Sequence, residues 1–595
     1  MKFGVEIQSE AIPEWRQKYI CYKALKKKIS YCSTIADNSI EQTLPETVLI
    51  VEPQTAASEN SPLTAFFSLL SSEVAKVEQF CEQNIAEARR KANQIARNVE
   101  ASRKDAAIAN SSKSLIQEAI LESYRHLELL KQFLSLNQKA VYKILKKFDK
   151  KTERDSSWYA KRLKEAQFYT SIDEIKDIMS ELENLLVEFN ETPRKVAMKK
   201  LRLPSRKPKV FTYYVFGLLA GLSVHPLITV ATRVNSFSEK HDAGLTMLRI
   251  YGGVAIPTLF FYVLAMVALV WRKYRVNYVF ILGLDPRDHI RPGQFGMMGS
   301  LLLVIFAYTS FVHIVMQVPL ATEFPTLFFS TFLATFLIAL LCPFNVFFRD
   351  ARVWFLKSLG RILASGLLPV EFRDFFLCDL LCSLTYSFLS LQLFSCSVVH
   401  NFHNVESSCR LDSWIVPIPL SLPSFWRLCQ CLRRYRDTRQ ALPHLANALK
   451  YTLALSVIWI SPLGRSSVEG GQIIWAVFAF CSACFSNFWD ICIDWGVLEG
   501  GCRLRKTLMY PRLWYIPAIL LNTILRFSWV FLISPRQWLK LPDDSQSLVF
   551  VLAVLEMLRR SVWCLFRMEN EMVNNIGQFR AVKEVPLPLD DDDDE

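Results

Sequence analysis

A chain of 595 residues exceeds what one hydrophobic core organises, so at least two domains are expected. Half of it (51%) is hydrophobic and the mean hydropathy is +0.19, which argues against an ordinary soluble protein and for a membrane domain with a soluble part attached. The formal net charge of +13 favours an anionic partner, whether nucleic acid, an anionic lipid surface or a phosphorylated small molecule.

The start, "MKFGVEIQSEAIPEW", lacks the apolar core of a secretory leader, and the first long apolar run begins only near Phe211. The first third of the chain is therefore expected in the cytosol. Residues 1–200 are rich in Lys, Glu, Gln and Ala with a helical period, which predicts long helices over about 14–30, 62–100, 113–150 and 156–189. Long antiparallel helices with a polar outside make a bundle. Residues 33–62 have no clean period and read as an inserted loop. Residues 191–210, "ETPRKVAMKKLRLPSRKPKV", read as a basic linker held against anionic headgroups.

Within the bundle, "KAVYKILKKFDK" (139–150) carries Lys139, Lys143, Lys146, Lys147 and Lys150. On a helix these five fall within an arc of roughly 100°, with Val141, Ile144, Leu145 and Phe148 on the other side. The apolar face is expected to pack inward and leave a ridge of ammonium groups that repel one another. A solvated surface is the plain interpretation of such a ridge. A bound polyanion is the sharper one, and "EWRQKYICYKALKKKIS" (14–30) adds Tyr22, Lys26 and Lys27 on another basic helix. The absence of interleaved exposed aromatics makes nucleic acid the weaker candidate.

After Val210, apolar runs of membrane-crossing length appear near 211–231, 248–271, 297–318, 326–347, 372–393, 415–432, 442–462, 471–490, 511–533 and 547–567, or about ten spans. Basic residues cluster in alternate loops (Lys199–Lys209, Arg272/Lys273/Arg275, Arg349/Arg352, Arg433–Arg439, Arg503–Lys506, Arg567), which predicts both termini in the cytosol. The sequons at Asn110 and Asn190 then face the wrong side for glycosylation. Cysteine is plentiful (15) but scattered. Pairs such as Cys429/Cys431 and Cys481/Cys484 lie in apolar runs without companion histidines, so they read as reduced thiols or small core fillers, and no metal site is expected.

The later spans keep ionisable residues at a depth where each costs about 2.5–3.5 kcal/mol on insertion scales. They include Asp379, Lys450, Asp490 and Asp494 (i,i+4, sharing a face), Arg526 with Trp529 three residues on, and Glu556, Arg559 and Arg560 on one side of the last span. Spans before residue 350 have almost none. The later helices are thus expected to surround a polar interior and the earlier ones to form an apolar scaffold. Structural ion pairs or interfacial snorkelling are the alternatives. Buried Arg and Lys would replace the hydration shell of a small oxyanion, and nearby carboxylates would hold the cations in its absence and keep it from binding too tightly to leave.

"MKFGVEI…PEWRQKYICYKALKKKI" together with "LNQKAVYKILKKFDK" resembles the SPX domain, a helical bundle that binds inositol polyphosphates and pyrophosphates. The family's ligand positions match Lys2, Tyr22, Lys26, Lys143, Lys146, Lys147 and Lys150. "SFWRLCQCLRRYRDTRQALPHLANALKY", "FWDICIDWG", "LRFSW" and "LEMLRRSVWCLFRMENEMVNNIGQFRAV" resemble the EXS domain, and the chain is similar to the SPX–EXS family of phosphate exporters. The resemblance implies an all-α protein: an SPX domain over 1–195, a basic linker over 196–210, scaffold helices over 211–350, an EXS-type transport domain over 351–585 and an acidic tail over 586–595. It implies export of inorganic phosphate from the cytosol, with inositol pyrophosphate or inositol hexakisphosphate as regulatory ligand and no catalytic cofactor. Carried over by residue, the phosphate path uses Asp379, Thr385, Arg434, Lys450, Tyr451 and Asp490. It continues through Asp494, Arg526, Glu556, Arg559 and Arg560, with Trp529 as an aromatic gate near Arg526. Cys382 stands where such exporters usually have asparagine, and Thr385 where serine is common, which puts the polar contact near residue 382 in doubt.

A second reading is a membrane-anchored phosphate-status sensor or signalling scaffold with little or no transport. An enzyme is disfavoured, since the chain shows no Walker loop, no HExxH and no soluble catalytic domain. The tail "DDDDDE" reads as a solvated end, or more sharply as a competitor folded onto the lysine ridge. Plasma membrane or Golgi-type membrane, channel or carrier, and a homodimer are left open.

Overall fold

The computed structural model describes residues 7, 12, 15, 17–36, 62–104, 106–165, 167–191, 193–201, 210–240, 244–274, 276–284, 290–316, 326–344, 346, 348–400, 405–411, 413–465, 470–499, 503–505, 507–533 and 546–574. The chain divides into two compact units between Pro204 and Ser205. Lys2, the inserted loop between 37 and 61, linker residues 202–209 and the acidic tail lie outside the described residues.

The first unit holds α1 (Tyr22–Ala36), α2 (Pro62–Lys104), α3 (Ala106–Thr152), α4 (Ser157–Glu165), α5 (Gln167–Asn190) and α6 (Arg194–Leu201). On α2 the buried positions run Phe66, Leu70, Val74, Val77, Cys81, Ile85, Ala88, Ala92, Ile95 and Val99. These steps of three and four form a coiled-coil-like seam, which is why a 43-residue helix is stable here. It packs on α3 and α5. The first helix begins at Tyr22, eight residues later than the periodicity predicts. Trp15 and Tyr19 are the cause: both are buried, Trp15 sits edge-on to Phe80 and Phe133, and the Tyr19 hydroxyl accepts from Ile12 N at 3.1 Å. Wedging two large rings between α2 and α3 outweighs the helical propensity of "EWRQKY". The predicted helix 156–189 is covered by α4 and α5, with residue 166 outside the described residues.

The second unit contains α7 (Val210–Lys240), α8 (Gly244–Tyr274), α9 (Pro292–Phe311, running into a π turn to Met316), α10 (Thr326–Leu341) and α11 (Arg349–Leu363). The later part holds α12 (Phe372–Leu381), α13 (Thr385–Val399), α14 (Pro417–Thr438), α15 (Ala441–Arg465), α16 (Gly471–Phe488, with a π turn Trp489–Asp494), α17 (Tyr515–Arg526) and α18 (Gln546–Asn574). A two-stranded hairpin, β1 (Leu498–Glu499) and β2 (Arg503–Leu504), follows α16. α9 packs on α7 and α8, α8 on α13 and α18, and α15 between α14 and α16.

Helix occupies every one of the ten predicted segments, but they are not alike. Five helical stretches are long and apolar enough to cross a membrane: Phe211–Val234, Gly244–Tyr274, Pro292–Met316, Gly471–Asp494 and Arg512–Leu532. The segment expected as one span at 372–393 is the bent pair α12/α13, turned by 63° at residues 382–384. Phe329–Leu341 is apolar but short. α14, α15 and α18 are not among those five, and each buries polar side chains: Arg427 and Gln430 on α14, Lys450 on α15, Arg559 and Arg560 on α18.

Cys396 and Cys409 are joined in a disulfide that ties the end of α13 to the segment before α14, a pairing the sequence did not signal. Cys429, Cys431, Cys481 and Cys484 are free thiols, and no group of metal-ligating side chains occurs among the described residues.

Candidate functional site

Three interruptions of regular helix lie beside the charged residues: the α12/α13 break, the π turn Trp489–Asp494, and the 3₁₀ turn Ser528–Leu532 that follows Arg526. At membrane depth, irregular backbone is tolerated only where it is enclosed by protein or lines a polar path.

The larger charge network begins on the π turn. Asp490 Oδ2 is paired with the Arg526 guanidinium and also accepts from Arg559 Nη1 at 3.1 Å. The other edge of Arg559 grips Glu556 with two bonds, Nε to Oε2 and Nη2 to Oε1, each 2.7 Å. Glu556 Oε1 accepts a further bond from Ser383 Oγ at 2.7 Å, and Ser383 Oγ in turn accepts from Arg560 Nε at 2.7 Å. Asn522 Oδ1 accepts from Arg559 Nη1 at 2.9 Å. A chain of contacts thus links Arg526, Asp490, Arg559, Glu556, Ser383 and Arg560 across four elements.

A second cluster stands beside it. Asp379, on α12, is buried and its Oδ1 accepts from Arg427 Nε at 2.7 Å and from the Tyr451 hydroxyl at 2.6 Å. Arg427 lies over the rings of Phe375 (4.4 Å) and Tyr451 (4.9 Å) and donates to Gln430 Oε1 at 2.5 Å. Lys450 Nζ lies over the Tyr451 and Trp489 rings, at 4.6 and 5.5 Å, and forms no ion pair among the described residues. Arg560, stacked over Trp563 at 4.7 Å, is within electrostatic range of both Asp379 and Glu556, so it stands between the clusters.

The expectation that Glu556, Arg559 and Arg560 share one side of their helix holds, as does the sparing of charge in the earlier helices, where the polar pairs include Tyr251 with His313 (2.7 Å). Other expectations need correction. Asp490 and Asp494 both face α18, so they share a face as expected, but they take different partners: Asp490 accepts from Arg559, whereas Asp494 accepts from Trp563 Nε1 at 3.1 Å and pairs with no cation among the described residues. Thr385 makes no side-chain hydrogen bond among the described residues. The hydroxyl in the network is Ser383, placed there by the helix break. Cys382 packs with Cys431, Ala448 and Tyr451 as an apolar neighbour and makes no side-chain hydrogen bond among the described residues. Arg434 is half-buried at the far end of α14, near Arg427, Arg567 and Glu571. Trp529 packs edge-on against Trp475, with centroids 5.5 Å apart, just beyond Arg526.

Sequence reasoning missed Arg427, Gln430, Ser383, Asn522 and Trp563. Arg427 had a signal, an arginine in an otherwise apolar stretch three residues before Gln430. The others did not. Also missed is a fully buried pair near the hairpin, Arg505 with Glu569 at 2.9 Å; Glu569 Oε1 also accepts from Met509 N and the Tyr515 hydroxyl.

In the first unit, Val141, Ile144, Leu145 and Phe148 are buried, with Phe148 stacked on Phe66 at 4.8 Å. Lys139, Lys143, Lys146 and Lys150 are exposed and Lys147 is half-buried, as the stripe predicts. Ile20 N donates to Asn137 Oδ1 at 3.0 Å, so α1, which carries Tyr22 and Lys26, begins beside the turn from which the stripe starts. Partial burial pushes the Tyr22 hydroxyl's pKa up, which keeps it a neutral donor. Lys26 and Lys27 are exposed.

The two units define a class: a helical membrane protein whose later helices enclose a network of paired charges, joined to a helical bundle with an ammonium ridge. Comparison with known proteins gives the family. The EXS family model matches residues 247–573, and the SPX domain model matches 1–62 and 100–159. The chain belongs to the EXS family and carries an SPX domain at its start. It is 30% identical over 647 residues to the Xenotropic and polytropic retrovirus receptor 1 homolog of Xenopus laevis, covering all of this chain and 92% of that one. It is 30% identical over 664 residues to human Solute carrier family 53 member 1, with the same coverage, and 30% identical to the Danio rerio receptor homolog over 663.

Proposed function

We propose that this protein exports inorganic phosphate from the cytosol through the charged interior of its membrane domain, and that inositol pyrophosphate or inositol hexakisphosphate on the lysine ridge controls the export. The observation that carries the reading is the linked set Arg526, Asp490, Arg559, Glu556, Ser383 and Arg560. Three guanidiniums held at depth, two by carboxylates and one by a serine hydroxyl, form a surface of preoriented donors for a small tetrahedral oxyanion. Membership of a family that includes a solute carrier favours transport over anchoring alone. Phosphate and the direction of its movement follow from the resemblance to phosphate exporters. The Cys396–Cys409 disulfide supports the orientation with cytosolic termini, since it falls in a segment which that orientation sets outside the reducing cytosol.

The lysine ridge fits a polyphosphate because flexible ammonium groups meet phosphates as mobile point charges. A bound ligand shifts the transporter only if it prefers one of two states of the protein. The test is labelled phosphate efflux from liposomes holding the full chain. Arg526→Ala and the double change Arg559→Ala/Arg560→Ala are expected to abolish it, and wild-type efflux from both would remove the assigned path. Replacing Tyr22, Lys26 and Lys143 is expected to abolish stimulation by inositol pyrophosphate while basal efflux persists. Ligand binding by the wild type without efflux would favour the sensor reading.

A further inference from the structure

Glu556 differs from the other carboxylates of the network. Its side chain is 32% exposed, while Asp379 (2%) and Asp490 (3%) are enclosed, and so is the Arg559 it grips (0%). Asp490 has a short side chain fixed from three sides by Arg526, Arg559 and Asn522. Glu556 has one more methylene and lies three residues from Arg559 on the same helix, so rotation about its side-chain bonds suffices to release it. Its departure would expose a defined set of donors. Nε–H and Nη2–H form one flat edge of Arg559, and Ser383 contributes Oγ–H. Arg560, whose Nη groups have no hydrogen-bond partner among the described residues, stands on the other side of Ser383. A guanidinium edge takes two oxygens of a tetrahedral oxyanion, a hydroxyl takes a third, and a second guanidinium faces what remains.

We propose that Glu556 is a tethered surrogate for the transported anion, occupying the Arg559–Ser383 site until phosphate displaces it and reclaiming the site to expel phosphate. This rests on the phosphate reading above and adds which group competes with the substrate. The exchange of one anion for another keeps the charge of the enclosed site nearly constant, so neither state leaves the outer edge of Arg559 without an anion. It also sets an affinity low enough for release, the compromise that conduction demands. Glu556 thereby becomes a determinant of affinity and turnover.

The experiment measures phosphate binding to the purified full chain, by equilibrium dialysis with labelled inorganic phosphate, beside efflux from liposomes. Glu556→Gln keeps the shape and removes the charge. It should bind phosphate about 10–100-fold more tightly, the factor for losing one charge-assisted competitor bond, and turn over more slowly. Glu556→Asp keeps the charge but is too short to hold Arg559 and Ser383 together, and should tighten binding by a smaller factor. If Glu556→Gln does not fold, Glu556→Asp decides the matter. Wild-type binding with no gain in the variants that fold would overturn the surrogate role and leave the transport reading intact. A wild type that binds and moves no phosphate would sink the reading beneath it.

Discussion

Arg427 is a buried side chain whose loss the structure makes expensive. Replacing it with methionine keeps most of its volume over Phe375 but removes the bond to Asp379 Oδ1 (2.7 Å), and with it the only cation in contact with that carboxylate among the described residues. Asp379 Oδ2 already has no hydrogen-bond partner among the described residues, so there the charge would rest on the Tyr451 hydroxyl alone. Breaking one side of a buried pair costs about 3–5 kcal/mol in proteins generally, whereas single hydrogen bonds between membrane helices couple by only about 0.6–1.7 kcal/mol. Both partners here are 2% exposed and one oxygen is unsatisfied, so the ion-pair figure governs. Arg427→Met should therefore destabilise the membrane unit by about 3 kcal/mol or more. The double change Asp379→Asn/Arg427→Met should recover much of that, giving a coupling of about 2 kcal/mol or more between the sites. Unfolding of the solubilised protein by titration with sodium dodecyl sulfate measures all three variants. Additivity within about 0.5 kcal/mol would refute the argument, because it would show that the two charges do not hold each other. The refolded double variant also separates roles: phosphate efflux should be lost in it, since Tyr451 and the Lys450 ammonium above it lose their anchor.

His126 is buried against Trp15, with Nε2 3.2 Å from Asn84 Oδ1, and burial lowers its pKa from 6.5 to about 4, an effect only partly opposed by Glu87. The unfolded state then binds the proton more readily than the folded one, so bundle stability falls as the pH drops from about 6.5 toward about 4. By pH 5 the loss is about 2 kcal/mol, readable as faster amide exchange in α2 and α3 of the full chain; His126→Gln should remove this slope, and an unchanged slope would assign it elsewhere. Gly496 adopts φ +54°, and a Cβ there would come within 2.4 Å of Asn570 Oδ1, which accepts from Arg505 at 3.0 Å. Gly496→Ala should cost about 1–3 kcal/mol and lower the yield of folded protein on size exclusion, with wild-type behaviour counting against the tight seat drawn here.

How much of this was legible follows from which signals are local. The α2 seam and the lysine stripe are periodic, and period survives in sequence. Asp490, Arg526, Glu556, Arg559 and Arg560 were visible because charge in an apolar run is costly enough to need a reason. Ser383 was invisible for the opposite cause. A serine in a membrane helix ordinarily bonds its own backbone, as Ser390 does to Tyr386 O, and nothing in "LLCSLTY" carries the glycine or proline that announces a break. The bend at 382–384 is where the Ser383 bonds to Glu556 and Arg560 are made, and those partners lie more than 170 residues away in sequence. The start of α1 failed for a related reason: Trp15 and Tyr19 are read by propensity as helix formers, but their contacts with Phe80 and Phe133 decide the backbone.

If the charged interior carries phosphate as proposed, the distribution of pairing across the cations gives that path an order. Arg427, Arg526 and Arg559 each touch a carboxylate, whereas Lys450 and Arg560 touch none among the described residues. A desolvated cation without a counterion is the stronger attractor for an arriving anion, because no existing bond must break first. On the proposed export route Lys450 and Arg560 would then be points of first capture, one above Tyr451 and Trp489, the other between Asp379 and Glu556. On that reading, transfer onward to Arg559 would require Glu556 to let go, and transfer to Arg526 would require a share of what Asp490 holds. Each step trades one carboxylate contact for one oxyanion contact, so the barriers are set by rearranging hydrogen bonds of similar strength and not by stripping a bare charge. That is the physical reason for placing acids among the bases: cations alone would trap the ion they attract.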